Sequence, residues 1–323
     1  MIEVTNYRDN PLIDPHLEIW EWQISVYLFL GGLVAGLMIL NGLWRIRDRE
    51  HETKAITNSA VLWAPVLISL GMFCLWLDLV NKLNVYRFYM TFQIKSPMSW
   101  GSWILFLVYP AQILAVAVAK GSDVFGGVLK GLNPLLQILK SITNGREKQI
   151  AWLNVVLGVM LGIYTGILLS ATAARPLWNT ALLGPLFLVS GLSTATAWNM
   201  LSRPTKIEHS SLAKWDFSLI ITEMFLLLLI LIGFLSGTEG HQSAGMLLLG
   251  GGFTAVFWIF VIILGLLFPL WLELREMRGH STPAWVAPAL VLLGGLALRF
   301  VMVQAGQVSH LPDTELLFGA VGH

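Results

Sequence analysis

The chain has 323 residues, of which 56% are apolar and only 12% charged, with a formal net charge of +1 and a mean hydropathy of +0.71. Long uncharged runs recur along it, which excludes a soluble globular domain and predicts an all-α polytopic membrane protein, with lipid rather than nucleic acid as its surroundings. The single cysteine, Cys74, lies inside an apolar run, so an internal disulfide is excluded and a cysteine-ligated iron–sulfur cluster has no ligand set. The histidines, His16, His51, His209, His241, His280, His310 and His323, fall outside or at the edges of the apolar runs, so no pair is placed to clamp a haem in the bilayer core.

In chain order, the polar start MIEVTNYRDNPLIDPH has no basic region followed by a short apolar core, and no cleaved leader is expected. Apolar runs of about 20 residues then predict eight spans, at 22–43, 60–80, 99–119, 150–170, 180–200, 215–235, 246–270 and 284–305, within a single membrane domain covering 1–323. Two four-helix bundles are the expected arrangement. The loops 44–59, 120–149, 201–214 and 271–283 carry fourteen of the Lys and Arg residues. The opposite side carries five, Arg8, Lys82, Arg87, Lys95 and Arg175. The positive-inside rule therefore puts the first set in the cytoplasm and both termini outside. In the longest loop, VFGGVLKGLNPLLQILKSI sets Lys130 and Lys140 against apolar positions, as a surface helix or a connector would.

Close helix packing is written into span 1 by Gly32 and Gly36, and into span 4 by Gly158, Gly162 and Gly166 at i, i+4, i+8. Tyr164 lies about 200° around the helix from Gly162 at roughly 100° per residue, so its phenol points away from that stripe and needs a partner or a cavity. Span 5 carries Ser190, Ser193, Thr194 and Thr196, which either bond back to their own helix or line a polar path. Ionisable groups in a bilayer are expensive and are functional candidates. Asp216 and Glu223, seven residues apart, share one face of span 6. Arg299 lies about two turns inside the outer end of span 8 and needs a carboxylate, carbonyls or an anion. Asp78, in the outer half, is one candidate partner.

These motifs, in order, resemble the NrfD/PsrC family of polysulfide-reductase-like integral membrane subunits. The resemblance rests on EIWEWQISVYLFLGGLVAG entering span 1, LDL at Leu77 to Leu79, SPMSWGSW from Ser96 to Trp103, Tyr164-Thr-Gly followed by RPLWN at Arg175 to Asn179, and LRFVMVQAGQ from Leu298 to Gln307. It implies a subunit of a respiratory oxidoreductase in a bacterial or archaeal cytoplasmic membrane. Such a subunit carries no haem or iron–sulfur cluster of its own, and uses menaquinone or ubiquinone as substrate near the outer face. Electrons would pass to or from an extracytoplasmic iron–sulfur subunit, with a molybdopterin or multihaem catalytic subunit beyond it. By position, Tyr164 matches the family's quinone-facing tyrosine and Arg299 its intramembrane arginine. Tyr27 and Ile24 stand where the polysulfide-reductase branch has a histidine and an asparagine, and His16 lies earlier in the chain. Together with these matches, the outer-side positions make Tyr27, Tyr164, His16 and Trp20 the candidate quinone contacts, with Tyr164, His16 and Asp78 as the groups able to pass protons. Glu223 has no counterpart in the polysulfide-reductase branch, and depth and polarity make Asp216, Glu223, Arg299, Ser193 and Thr196 the available stepping stones of a proton pathway. A membrane anchor without quinone chemistry and a secondary transporter coupling through Glu223 and Arg299 are the alternatives.

Overall fold

The computed structural model describes residues 20–47, 60–79, 81–120, 143–172, 175–202, 206–280 and 283–309, with scattered residues between 134 and 141. Among the described residues every regular element is helical. They are α1 (Trp22–Ile46), α2 (Ala60–Asp78), a 3-10 turn (Lys82–Asn84), α3 (Arg87–Met90), α4 (Pro97–Lys120), α5 (Glu147–Ser170), α6 (Leu183–Leu201), α7 (Lys206–Leu235) and α8 (Glu239–Leu249). A π-helical segment (Val256–Leu267) then runs directly into α9 (Phe268–Met277), and α10 (Val286–Val308) follows. His16 and most of the loop 121–142, where a surface helix or a connector is expected, lie outside the described residues.

Among the described residues seven stretches are long and apolar enough to cross a membrane: Trp22–Ile46, Val61–Asp78, Pro97–Ala119, Glu147–Ser170, Glu208–Leu235, Val256–Met277 and Val286–Val308. Helix α6 is less apolar because Ser190, Ser193, Thr194, Thr196 and Asn199 dilute its leucines. All five are nonetheless buried, and the helix packs against α1, α5, α7 and α10. Large apolar side chains such as Phe106, Phe225, Leu228 and Phe260 point outward instead, as lipid-facing residues do.

Two predicted boundaries are corrected. The apolar run predicted as a span at 246–270 is divided: α8 ends at Leu249, Gly250 to Gly252 break the helix, and the membrane-length helix runs from Val256 to Met277. Three consecutive glycines leave the backbone too free to propagate a helix. Helix α7 begins at Lys206, well before the predicted 215, so its polar first turns are helical as well.

Packing divides into two groups, α1 with α2, α4 and α5, and α6 with α7, the π segment, α9 and α10. Helices α1 and α5 join them, both packing on α6. A Cβ at Gly36 would collide with the Gly191 carbonyl and come within 2.6 Å of Ala195 Cβ. One at Gly191 would lie 2.5 Å from the Gly32 carbonyl, and one at Gly158 2.9 Å from the Ala35 carbonyl. The three backbones of α1, α5 and α6 thus touch without side chains between them, which is the small-residue packing of bilayer helices. At the end of α9, Gly279 adopts φ +85° and its N–H reaches the Glu276 carbonyl at 2.9 Å, closing the helix in a left-handed cap. Gly36→Ala is expected to lower stability in detergent by about 1–3 kcal/mol, the usual cost of overpacking, while Gly233→Ala, where a Cβ meets nothing within 4 Å, leaves the thermal midpoint unchanged.

Candidate functional site

The loop between α2 and α4 is drawn down onto the bundle by the serines of SPMSWGSW. The Ser99 hydroxyl donates to the Thr91 carbonyl (3.3 Å) and accepts from the Gln93 N–H (3.0 Å). The Ser102 hydroxyl donates to Phe88 O (3.0 Å), and the Trp100 indole N–H to Ile94 O (2.8 Å). Beneath this loop lies a cavity of about 150 Å³. Its apolar wall includes Ile24, Met72, Leu75, Leu105 and Leu168, and its polar groups come from Tyr27, Asp78, Tyr89, Ser102 and Tyr164.

Each polar group but Ser102, which belongs to α4 itself, arrives from a different neighbouring element. Tyr27 is on α1, Asp78 ends α2, Tyr89 is on α3 and Tyr164 is on α5. Gly101 explains the seating of Tyr164: a Cβ there would overlap the phenol ring and hydroxyl. Tyr27 and Tyr164 are buried and within electrostatic reach of one another. Burial first, and then the neighbouring Tyr109 phenol, push the Tyr89 hydroxyl up from its ordinary range, so it stays a hydrogen-bond donor.

Trp20 closes one edge of the cavity, and the RPLWN and AGQ segments hold it there. Its backbone N–H donates to Gln307 Oε1 (2.8 Å) and its carbonyl accepts from Gln307 Nε2 (2.7 Å). Its ring packs on Trp178 with centroids 5.1 Å apart, while the Trp178 indole donates to Met302 O at 2.7 Å. A Cβ at Gly306 would enter the Trp178 ring.

A second, more open cavity of about 700 Å³ shares Asp78, Leu79, Phe88 and Met98 with the first and adds Asn81, Arg87, Gln93 and Ser96. Asp78 therefore stands between an apolar chamber and a polar vestibule. On the other flank, Tyr89 and Leu105 are shared with a shallow cleft bordered by Phe106, Tyr109 and Pro110 on the apolar outer surface of α4.

The remaining sequence candidates gather elsewhere. Asp216 is fully buried and accepts from the Ser193 hydroxyl at 2.6 Å. Glu223, also buried, meets the Ser190 hydroxyl and lies near Arg299. Arg299 donates to Ser190 Oγ, Phe187 O (3.0 Å) and Gly295 O (3.3 Å), and its guanidinium lies over the Phe187 ring, 4.8 Å from the centroid. Gly32 leaves it room, since a Cβ there would lie 3.2 Å from Nη2. Asp78, one candidate partner for Arg299, is not in this set and lines the cavity instead: depth along a helix says nothing about which way a side chain turns. Thr196 bonds back to Leu192 O at 2.8 Å and Thr194 to Gly191 O at 3.0 Å, so in span 5 the two serines, and not the threonines, reach the ionisable groups.

Two contributions have no counterpart among the sequence candidates. Tyr89 sits in a short loop helix without any distinguishing pattern. Glu273 meets Asp216 from α9 and is hidden by the misplaced span, although the triple glycine at 250–252 is a readable signal for moving it.

Residues 11–310 match the family described as Polysulphide reductase, NrfD. The sequence is 33% identical over 303 residues to the C subunit of polysulfide reductase from Wolinella succinogenes, covering 90% of this protein and 94% of that one. It is 30% identical over 304 residues to protein NrfD of Escherichia coli, covering 90% and 96%. With a match over nearly its whole length and the apolar helices to fit, the chain belongs to the NrfD family of polysulphide reductase membrane proteins.

Proposed function

We propose that this chain is the quinone-reactive membrane subunit of a respiratory oxidoreductase, with the cavity beneath the α2–α4 loop as its quinone site. One observation carries the proposal. Trp20, Tyr27, Asp78 and Tyr164, four residues singled out from separate parts of the sequence, line one apolar cavity. A quinone needs an apolar slot and a proton-passing donor at its carbonyl oxygens. The phenols of Tyr27 and Tyr164 supply donors, and Asp78 on the vestibule side exchanges protons with water. The ring passes between the lipid-facing cleft and the chamber, and its isoprenoid tail remains against the exposed apolar surface of α4.

In this proposal α6 is the eighth span, both termini lie outside, and the cavity end faces an extracytoplasmic iron–sulfur subunit. The α2–α4 loop and its polar vestibule are the surface nearest that partner's cluster. Ser193, Asp216, Glu223, Ser190 and Arg299 form the proton-conducting side, in which α7 supplies the acids and α6 the hydroxyls between them.

The test is made on the complex purified through this subunit. A reduced menaquinone analogue added anaerobically is expected to reduce the iron–sulfur clusters, followed by electron paramagnetic resonance. Tyr164→Phe is expected to leave assembly intact and slow that reduction by about 10²-fold or more, the scale of a lost proton-transferring group. Clusters that exchange electrons with quinol or quinone as fast in Tyr164→Phe as in the parent would contradict the assignment. Clusters that dithionite reduces, but that exchange with neither quinol nor quinone, would make the protein an anchor. Gly101→Ala, which forces the Tyr164 ring from its seat, is expected to lower the rate as Tyr164→Phe does. The double variant is expected to be no slower than the worse single one, because both changes act on one group.

A further inference from the structure

Three ionisable groups of α7, His209, Asp216 and Glu223, recur every seven residues and so occupy one stripe of the helix. Each has a partner across a helix seam. His209 Nδ1 is 2.9 Å from Glu276 Oε1, with the two side chains 12% and 32% exposed. Asp216 meets Ser193 on one side and Glu273 on the other. Glu223 meets Ser190 and approaches Arg299. Helices α7 and α9 run antiparallel here, so the pairs 209–276 and 216–273 are successive rungs, the first partly open and the second fully enclosed.

Glu273 is unusual among these residues. It is 0% exposed, and among the described residues no hydrogen-bond donor reaches either of its carboxyl oxygens, nor Asp216 Oδ2. Two carboxyl groups that meet with no donor between them close that contact only with a proton on one of the facing oxygens. Leaving both ionised would put two uncompensated like charges in a low-dielectric interior. His209 Nε2 is likewise buried without a partner among the described residues.

Distance decides what Glu273 is for. Seven helical residues separate His209 from Asp216, about 10.5 Å of rise, which no single hydrogen bond spans. Glu276 and Glu273 are three residues apart, about 4.5 Å of rise on one face, and Glu273 already meets Asp216.

We propose that Glu273 is a proton-carrying residue, holding the proton it shares with Asp216 and linking Asp216 to a solvent-facing inlet formed by His209 and Glu276. This rests on the proton-conducting part of the proposed function and adds its inlet. Each step moves one proton from a carboxylic acid or imidazolium to a neighbouring carboxylate. The donor becomes carboxylate or neutral imidazole, the acceptor becomes the acid, and no electrons are transferred. Beyond Asp216, Glu223 is another seven residues along α7, and the path to it runs by way of the Ser193 and Ser190 hydroxyls of α6, each bonded to one of the two acids.

The test uses the intact complex and two readouts. In infrared spectra with hydrogen–deuterium exchange, the carboxylic C=O band of the shared proton is expected to disappear in Glu273→Gln, a substitution of nearly the same shape that supplies a donor in place of the proton. In proteoliposomes driven by quinone turnover, Glu273→Gln is expected to lower proton uptake from the His209 side at least tenfold without changing the KM for quinone, and Glu273→Asp to restore most of it. Proton uptake at the parent rate in Glu273→Gln, or an unchanged carboxylic band, would overturn the proposal. The infrared arm needs no quinone turnover, so its loss of band stands even where Tyr164→Phe shows the quinone assignment to be wrong.

Discussion

The contact on which the rest of the structure depends is the backbone-to-backbone approach of α1 to α5 and α6. Gly32, Gly36, Gly158 and Gly191 remove the side chains that would otherwise hold these helices at ordinary spacing. Lipid offers no hydrophobic drive for helices to associate, so close packing of this kind must supply it. The same approach bears on both polar regions along α1. It places Tyr27 with Tyr164 on the wall of one cavity, and it opens at Gly32 the space that the Arg299 guanidinium occupies. Substitutions along this seam therefore act on the two sites together, through geometry and without touching either chemistry.

Two polar systems are built around that seam, and they differ in kind. The cavity end is an apolar chamber with a few donors on its wall, suited to a ring that comes and goes. The α6–α7–α9 system is a series of enclosed side chains, tied by short hydrogen bonds such as Ser193 to Asp216 at 2.6 Å. Under the proposed function the division has an energetic meaning. Reducing quinone at an outer site with protons drawn from the other side carries charge across the membrane, at about 2.3 kcal/mol per proton per 100 mV. Drawing them through the vestibule beside Asp78 carries none. Arg299 belongs to the second system, a fixed cation bonded to a serine and two carbonyls.

Much of this was legible because the bilayer restricts the possibilities. Apolar runs located most of the helices, the glycine stripe marked the close contacts, and the angle between Tyr164 and Gly162 turned its phenol towards the cavity side. The seven-residue spacing put Asp216 and Glu223 on one face, as found. Azimuth on separate helices was not legible. Arg299 and Asp78 share a half of the bilayer by sequence position but not a direction, and Thr196 carries the same hydroxyl as Ser193 yet turns back to its own helix. Glu273 was lost for a different reason. An apolar run extending from 246 to 270 ends the span too soon and leaves Glu273 in a loop, where a carboxylate costs nothing, whereas the glycine break shifts the helix and buries it.

The central claim is that the cavity under the α2–α4 loop holds the quinone. Its most direct test is photolabelling of the membrane-embedded complex with an azidoquinone, followed by peptide mapping. The account predicts cross-links on the segments carrying Tyr27, Tyr89, Met98 and Tyr164, competed away by unlabelled quinol and absent from α7 and α9. Labelling confined to the outer apolar faces, or unaffected by competitor, would contradict it.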